Sequence, residues 1–82
     1  MKNDWNQLAA NILRAELRLR GITYSQLHER LFLLGLKETV SGIKGKISRG
    51  SFQFSFFLQC AVAIGIKKLS LDEILSEGEP SE

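Results

Sequence analysis

The sequence predicts an all-α fold of five helices, and three observations carry that prediction. Glycines at 21, 35, 50 and 65 each follow an apolar segment of helical length, and glycine is the usual residue just past a helix end. Within the segments apolar residues recur at helical spacing, and no stretch alternates apolar and polar side chains as a half-buried strand does. Two capping-box patterns, at Thr23 with Gln26 and at Ser70 with Glu73, mark helix starts.

The first helix is expected from about Asp4, its N-cap, to Arg20. Trp5, Leu8, Ile12 and Ala15 form its inner stripe with Leu13 and Leu17 beside it, which leaves Arg14, Arg18 and Arg20 to water or a partner. The second starts behind Thr23 and turns Leu27, Leu31 and Leu34 inward. The third runs from about Glu38 to Ser48 on Val40, Ile43 and Ile47, and only Gly35-Leu36-Lys37 separates it from the second. A helix, a short glycine-containing turn and a second helix make the helix-turn-helix arrangement. The fourth, from about Gln53 to Ile64, is apolar almost all round, the pattern of a buried central helix. A short fifth helix follows Ser70 and runs through Leu75, so that residues 1–77 make one domain and 78–82 an acidic, fraying tail.

Composition narrows the class of function. An apolar fraction of 44% in 82 residues supports a small core. The single cysteine, Cys60, sits in an apolar run without a partner, so neither a disulfide framework nor a metal site is expected, and a reducing cytoplasmic setting suits the chain. No apolar run approaches the roughly 20 residues of a membrane span, and the N-terminus lacks the order of a signal peptide. Charge is strongly divided: residues 1–68 hold eleven bases against four acids (+7), and residues 69–82 hold five acids and no base (−5). A basic body with an acidic tail is an arrangement found in nucleic-acid-binding proteins.

The third helix asks why glycine occupies positions 42 and 45, since each weakens a helix interior by about 1 kcal/mol relative to alanine. Advancing about 100° per residue places Glu38, Gly42, Gly45 and Arg49 opposite the Val40-Ile43-Ile47 stripe. A strip without side chains lets another surface approach the backbone. On this reasoning Lys46 and Thr39 border the strip on one side and Ser41 and Ser48 on the other, while Lys44 lies nearer the buried side.

The stretch ITYSQLHERLFLLGLKETVSGIKGKISRG, followed by FFLQCAVAIGI, resembles the lambda-repressor-like (Xre/Cro) helix-turn-helix domains of phage and bacterial regulators over residues 5–75. More narrowly, ELRLRGITYSQL, KISRGSF and FFLQC are similar to a group of small bacterial proteins of this fold known only as a domain of unknown function. The wider resemblance implies five helices, with the third in the major groove of double-stranded DNA and the second across the backbone. It also implies a homodimer, for which Leu71, Ile74 and Leu75 with the phenylalanines at 52–57 offer apolar surface. Relative to typical repressors this chain inserts Phe32, Leu33 and Leu34 and its third segment continues to Ile47, so that the second and third helices are both expected to be about a turn longer.

Catalysis has little to rest on: His28 is the only histidine, no carboxylate pair flanks it, and GIKGK does not complete a phosphate-binding GxxxxGK[ST] loop. The expectation is a non-enzymatic, sequence-specific DNA-binding protein without a cofactor. Lys37, Lys46 and Arg49 neutralise phosphates or read guanine, Thr39 and Ser41 reach base edges, and Gly42 allows close approach. The alternative is a protein-interaction domain that keeps the fold and uses its surplus aromatic surface.

Overall fold

In the computed structural model, which describes residues 4–70, four α-helices follow one another: α1 (Trp5–Arg20), α2 (Tyr24–Leu33), α3 (Val40–Arg49) and α4 (Phe54–Ile64). The fold is all-α. The fifth expected helix falls beyond Ser70, and Leu71, Ile74 and Leu75 lie outside the described residues.

Three of the four helices start on a side chain that accepts from the first turn. Asp4 Oδ1 takes the Gln7 N–H at 3.1 Å, and Thr39 Oγ1 takes the Gly42 N–H at 2.9 Å. At α2 the capping box closes in both directions: Thr23 Oγ1 accepts from Gln26 N at 3.1 Å, and Gln26 Oε1 accepts from Thr23 N at 2.8 Å. Each such cap stabilises its helix by about 1 kcal/mol. Gln53, ahead of α4, makes no side-chain cap.

The helix ends couple local geometry to packing. After Gly21, Gly35 and Gly65 the next N–H reaches back five residues: Ile22 to Leu17 O, Leu36 to Leu31 O and Ile66 to Ala61 O, at 2.8–3.0 Å. This is the Schellman closure, and its usual companion is an apolar residue just past the glycine. Ile22, Leu36 and Ile66 all pack against the core. That core is built from Leu13 and Leu17 of α1, Leu27 and Leu31 of α2, Ile43 and Ile47 of α3, and Phe56, Cys60 and Ile64 of α4. Full burial of such a side chain contributes about 1.5–3 kcal/mol, so few of them are dispensable in a chain this small.

The expected faces of three helices are corrected. On α1 the buried arc is Ala10, Leu13 and Leu17 together with Leu8, while Trp5 is 62% exposed and Ile12 and Ala15 are only half-buried. The helix carries apolar residues on two arcs, and the leucine-rich one is seated among the other helices. On α4 only Phe56, Cys60, Ala61 and Ile64 are buried, whereas Phe54, Leu58 and Val62 are 71%, 47% and 69% exposed. Its apolar composition does not make it a hub, because among the described residues nothing packs over that second face. Leu34, expected on the inner stripe of α2, is the C-cap and is exposed.

α3 is packed against α1 and α2, and α2 also against α4. Arg30 Nη1 fastens the last pair by donating to Ala63 O at 3.1 Å, near the end of α4. The α1–α3 pairing has a tighter constraint at its end. Gly50 is buried at φ +70°, and a Cβ there would stand 1.8 Å from Asn6 O and 2.6 Å from Asn6 C. The two backbones meet where no side chain fits. Gly50→Ala is therefore expected to lose several times the roughly 1–2 kcal/mol that the left-handed conformation alone costs a non-glycine residue. Gly21→Ala, also at positive φ but with open space around it, supplies the reference in a denaturant titration. Equal losses in the two variants would show that the Asn6 contact is not limiting.

Candidate nucleic-acid interface

α3 begins two residues later than the sequence pattern suggests because Thr39 is its N-cap. The segment joining it to α2 accordingly runs from Leu34 to Thr39, and α2 itself ends at Leu33. Thr39 is exposed, but its hydroxyl oxygen is already committed to the Gly42 N–H.

The open side of α3 differs from the expected one. Ile43 and Ile47 are fully buried, Gly42, Gly45 and Lys46 are half-buried, and Val40, Ser41, Lys44, Ser48 and Arg49 are exposed. The most open surface thus centres on Ser41, Lys44 and Ser48, about a quarter-turn from the Glu38-Gly42-Gly45-Arg49 strip. Val40 misled the pattern. It is only partly covered, so the buried direction is set by the two isoleucines and tilts toward Lys46. Lys44, placed by the sequence near the buried side, stands instead on the outer face. The signal that could have found it is its flanking by Ser41 and Ser48, both polar and both close to it around the helix.

The two mid-helix glycines are covered by polar side chains. A Cβ on Gly42 would lie 2.9 Å from Thr39 Oγ1 and 3.5 Å from Glu38 Oε1, and one on Gly45 would lie 3.2 Å from Arg49 Nη1. Glycine here gives room for a capping hydroxyl, a carboxylate and a guanidinium to lie across the helix surface. Lys46 turns toward α4: its Nζ donates to Glu38 Oε2 at 2.6 Å and sits 5.0 Å from the Phe56 ring centroid. Of the three cations expected at the interface, Lys37 and Arg49 are exposed, and Lys46 is held by an acid.

Basic groups extend beyond α3. Arg14 Nη2 donates to Ser48 Oγ at 3.3 Å, which joins the outer face of α3 to α1. From there an open groove of about 360 Å³ is lined by Arg14, Leu17, Arg18, Ile22, Thr23 and Tyr24 at the start of α2. Arg18 is exposed there, whereas Arg20 is paired with Glu16 one turn back on α1. A second groove, of about 400 Å³, lies between the end of α3 and the start of α4 and includes Lys46, Arg49, Ser51 and Gln53. Both grooves offer guanidinium or ammonium groups beside hydroxyl or amide donors, the chemistry that holds phosphate oxygens.

Residues 5–69 match the family described as a domain of unknown function, DUF6471. The chain belongs to that family. No curated protein and no solved structure matches it. The match takes in α1–α4 entire, so all the basic side chains of this DUF6471 domain just described fall inside the family region. Among the described residues no helix is long and apolar enough to cross a membrane.

Cys60 and His28 take no part in this surface. Cys60 is fully buried, and its thiol is pushed up to about 12, first by burial and then by the Glu38 carboxylate, with Lys46 acting in the opposite direction. A thiol so placed is protonated at neutral pH and unreactive. His28 is half-buried on α2.

The contacts of Gly42 fix what substitution does there. Alanine would gain about 1 kcal/mol of helix propensity but displace the Thr39 cap, itself worth about 1 kcal/mol. Gly42→Ala is expected to leave the thermal midpoint unchanged or lower it, and to be stabilising only in a Thr39→Ala background. A thermodynamic cycle by differential scanning calorimetry checks this; stabilisation of the same size in both backgrounds would place Gly42 clear of the cap.

Proposed function

We propose that this protein is a sequence-specific DNA-binding protein, a transcriptional regulator of the lambda-repressor-like (Xre/Cro) helix-turn-helix class, with α3 in the major groove of double-stranded DNA. The single observation that carries the reading is the outer face of α3. It presents Ser41, Lys44 and Ser48 to solvent, and through the Ser48–Arg14 contact it continues into the groove of Arg14 and Arg18. An α-helix fits the major groove, and short hydroxyls and a lysine can meet base edges there. Lys37 at the turn, Arg18 near the end of α1 and Arg49 at the end of α3 surround that face as phosphate contacts. The sequence resemblance of residues 5–75 to the repressor domains supports the same docking, with α2 across the backbone.

If Arg18, Lys37 and Arg49 each neutralise one phosphate, log affinity is expected to fall with log salt at a slope of roughly −2.7, about 0.9 per contact. Arg18→Ala removes about 0.9 from that slope and weakens all sequences alike. Lys44→Ala instead relaxes preference at one base pair, by about 1–3 kcal/mol of discrimination. Selection from random duplexes followed by fluorescence anisotropy provides both measurements. A flat salt response, or a failure to enrich any sequence, would reject the reading.

A second reading, a protein-interaction domain or homodimer, is favoured by the exposed stripe of Phe54, Leu58 and Val62 on α4. These three are four residues apart on a helix that carries no charged residue. An interaction through this stripe would be insensitive to salt and lost in Val62→Asp, with helicity kept because Val62 is not in the core. Sedimentation of the two proteins at tens of micromolar, without DNA, distinguishes it from DNA-directed pairing. The homodimer surface proposed from Leu71, Ile74 and Leu75 is tested in the same way with Leu75→Asp.

A further inference from the structure

We infer that Glu38 is a specificity-setting positioning residue of the DNA interface: it holds Lys46 away from phosphate and so restrains sequence-independent binding. This rests on the DNA-binding reading above. Four acids fall among the described residues. Asp4 caps α1, Glu16 pairs with Arg20, and Glu29 is exposed on α2. Glu38 is the one beside α3, bonded to a lysine of that helix at 2.6 Å.

The pair is built into the surface. Its side chains are only 38% (Lys46) and 23% (Glu38) exposed, so water and salt screen it less than an open pair. The Lys46 ammonium also lies over the face of Phe56, a favourable site for a cation. Beneath it, Gly42 leaves space for the carboxylate, with Glu38 Oε1 at 3.5 Å from where a Cβ would stand. To reach a phosphate, Lys46 would have to leave this carboxylate half-buried and unpaired beside a second negative charge. While the pair is closed, Lys46 releases no counterion from DNA.

Phosphate attraction is the same for every sequence, whereas base contacts are not. A complex without base contacts is free to take whichever register engages the most cations. The register of a specific complex is fixed by its bases. An unpaired Lys46 would therefore help the wrong sequences more than the right one, and Glu38 prevents this.

The test is a double-mutant cycle of Glu38→Gln and Lys46→Met, with affinity measured against salt on a duplex selected by the wild type and on a scrambled duplex. Circular dichroism confirms the fold of each variant; Glu38→Ser, which removes the long side chain, replaces Glu38→Gln if the amide is not tolerated. Lys46→Met alone is expected to leave the salt slope within about 0.3 of wild type. In the Glu38→Gln background it should remove about 0.9, one phosphate contact. Glu38→Gln alone should tighten the scrambled duplex several-fold more than the selected one. An equal loss of slope on Lys46→Met in both backgrounds, or an unchanged ratio of the two affinities in Glu38→Gln, would overturn the assignment while leaving DNA binding in place. Wild-type protein without salt-dependent duplex binding would overturn both.

Discussion

The arrangement depends most on the contact between Gly50 and Asn6. The end of α3 meets the first turn of α1 backbone to backbone, at a separation that excludes even a methyl group. Side chains elsewhere in the core can adjust rotamers to absorb a change, but two main chains with fixed dihedrals cannot. Because α3 is held at this end by α1 and along its length by Ile43 and Ile47, its rotation about its own axis is determined. That rotation decides which residues face outward, and hence what the protein can touch.

From the rotation follows the division of labour among the cations. With the isoleucines inward, Lys44 is carried to the open face and Lys46 to the side of α4, where Phe56 and Glu38 receive it. Two lysines two residues apart on one helix thus have different electrostatic roles: one stays available to a polyanion, the other is neutralised in place. Net charge alone would count them equally. Arg14 is partly engaged in the same way by Ser48, but through a neutral hydroxyl that leaves its charge uncompensated.

Much of the fold was legible because its signals are local. A side-chain oxygen ahead of a helix and a glycine behind it are read within a few residues, and Asp4, Thr23 and the glycines at 21, 35, 50 and 65 all act as their positions indicate. The faces were less legible because burial is a tertiary property. α1 has two apolar arcs, and nothing in its own sequence says that Leu13 and Leu17 are buried at the expense of Trp5. α4 has apolar residues all round, and composition cannot tell that one side is left uncovered by the other three helices. The Thr39 cap is hidden for a different reason: a threonine on a basic segment suits a base contact as well as a cap, and only the Gly42 N–H at 2.9 Å shows the second use. The candidate interface was legible as a region and not as a register, since a tilt of one helix by a quarter-turn exchanges Lys44 for Lys46.

The same cluster ties the interface to the core. Phe56 is buried among Leu, Ile and Cys60 on one side and supports the Lys46 ammonium on the other. The Glu38 carboxylate is near enough to Cys60 to raise its thiol further after burial has done most of it, while Lys46 opposes the shift. A lysine left unpaired over that ring would have only solvent to balance it, and a carboxylate left unpaired would be a half-buried charge next to an apolar core, which is the costlier of the two. The pair is therefore stable as a pair and poorly suited to losing either member. That fixes Lys46 on the α4 side of α3, while Lys44 and Arg49 of the same helix keep their charges open to solvent.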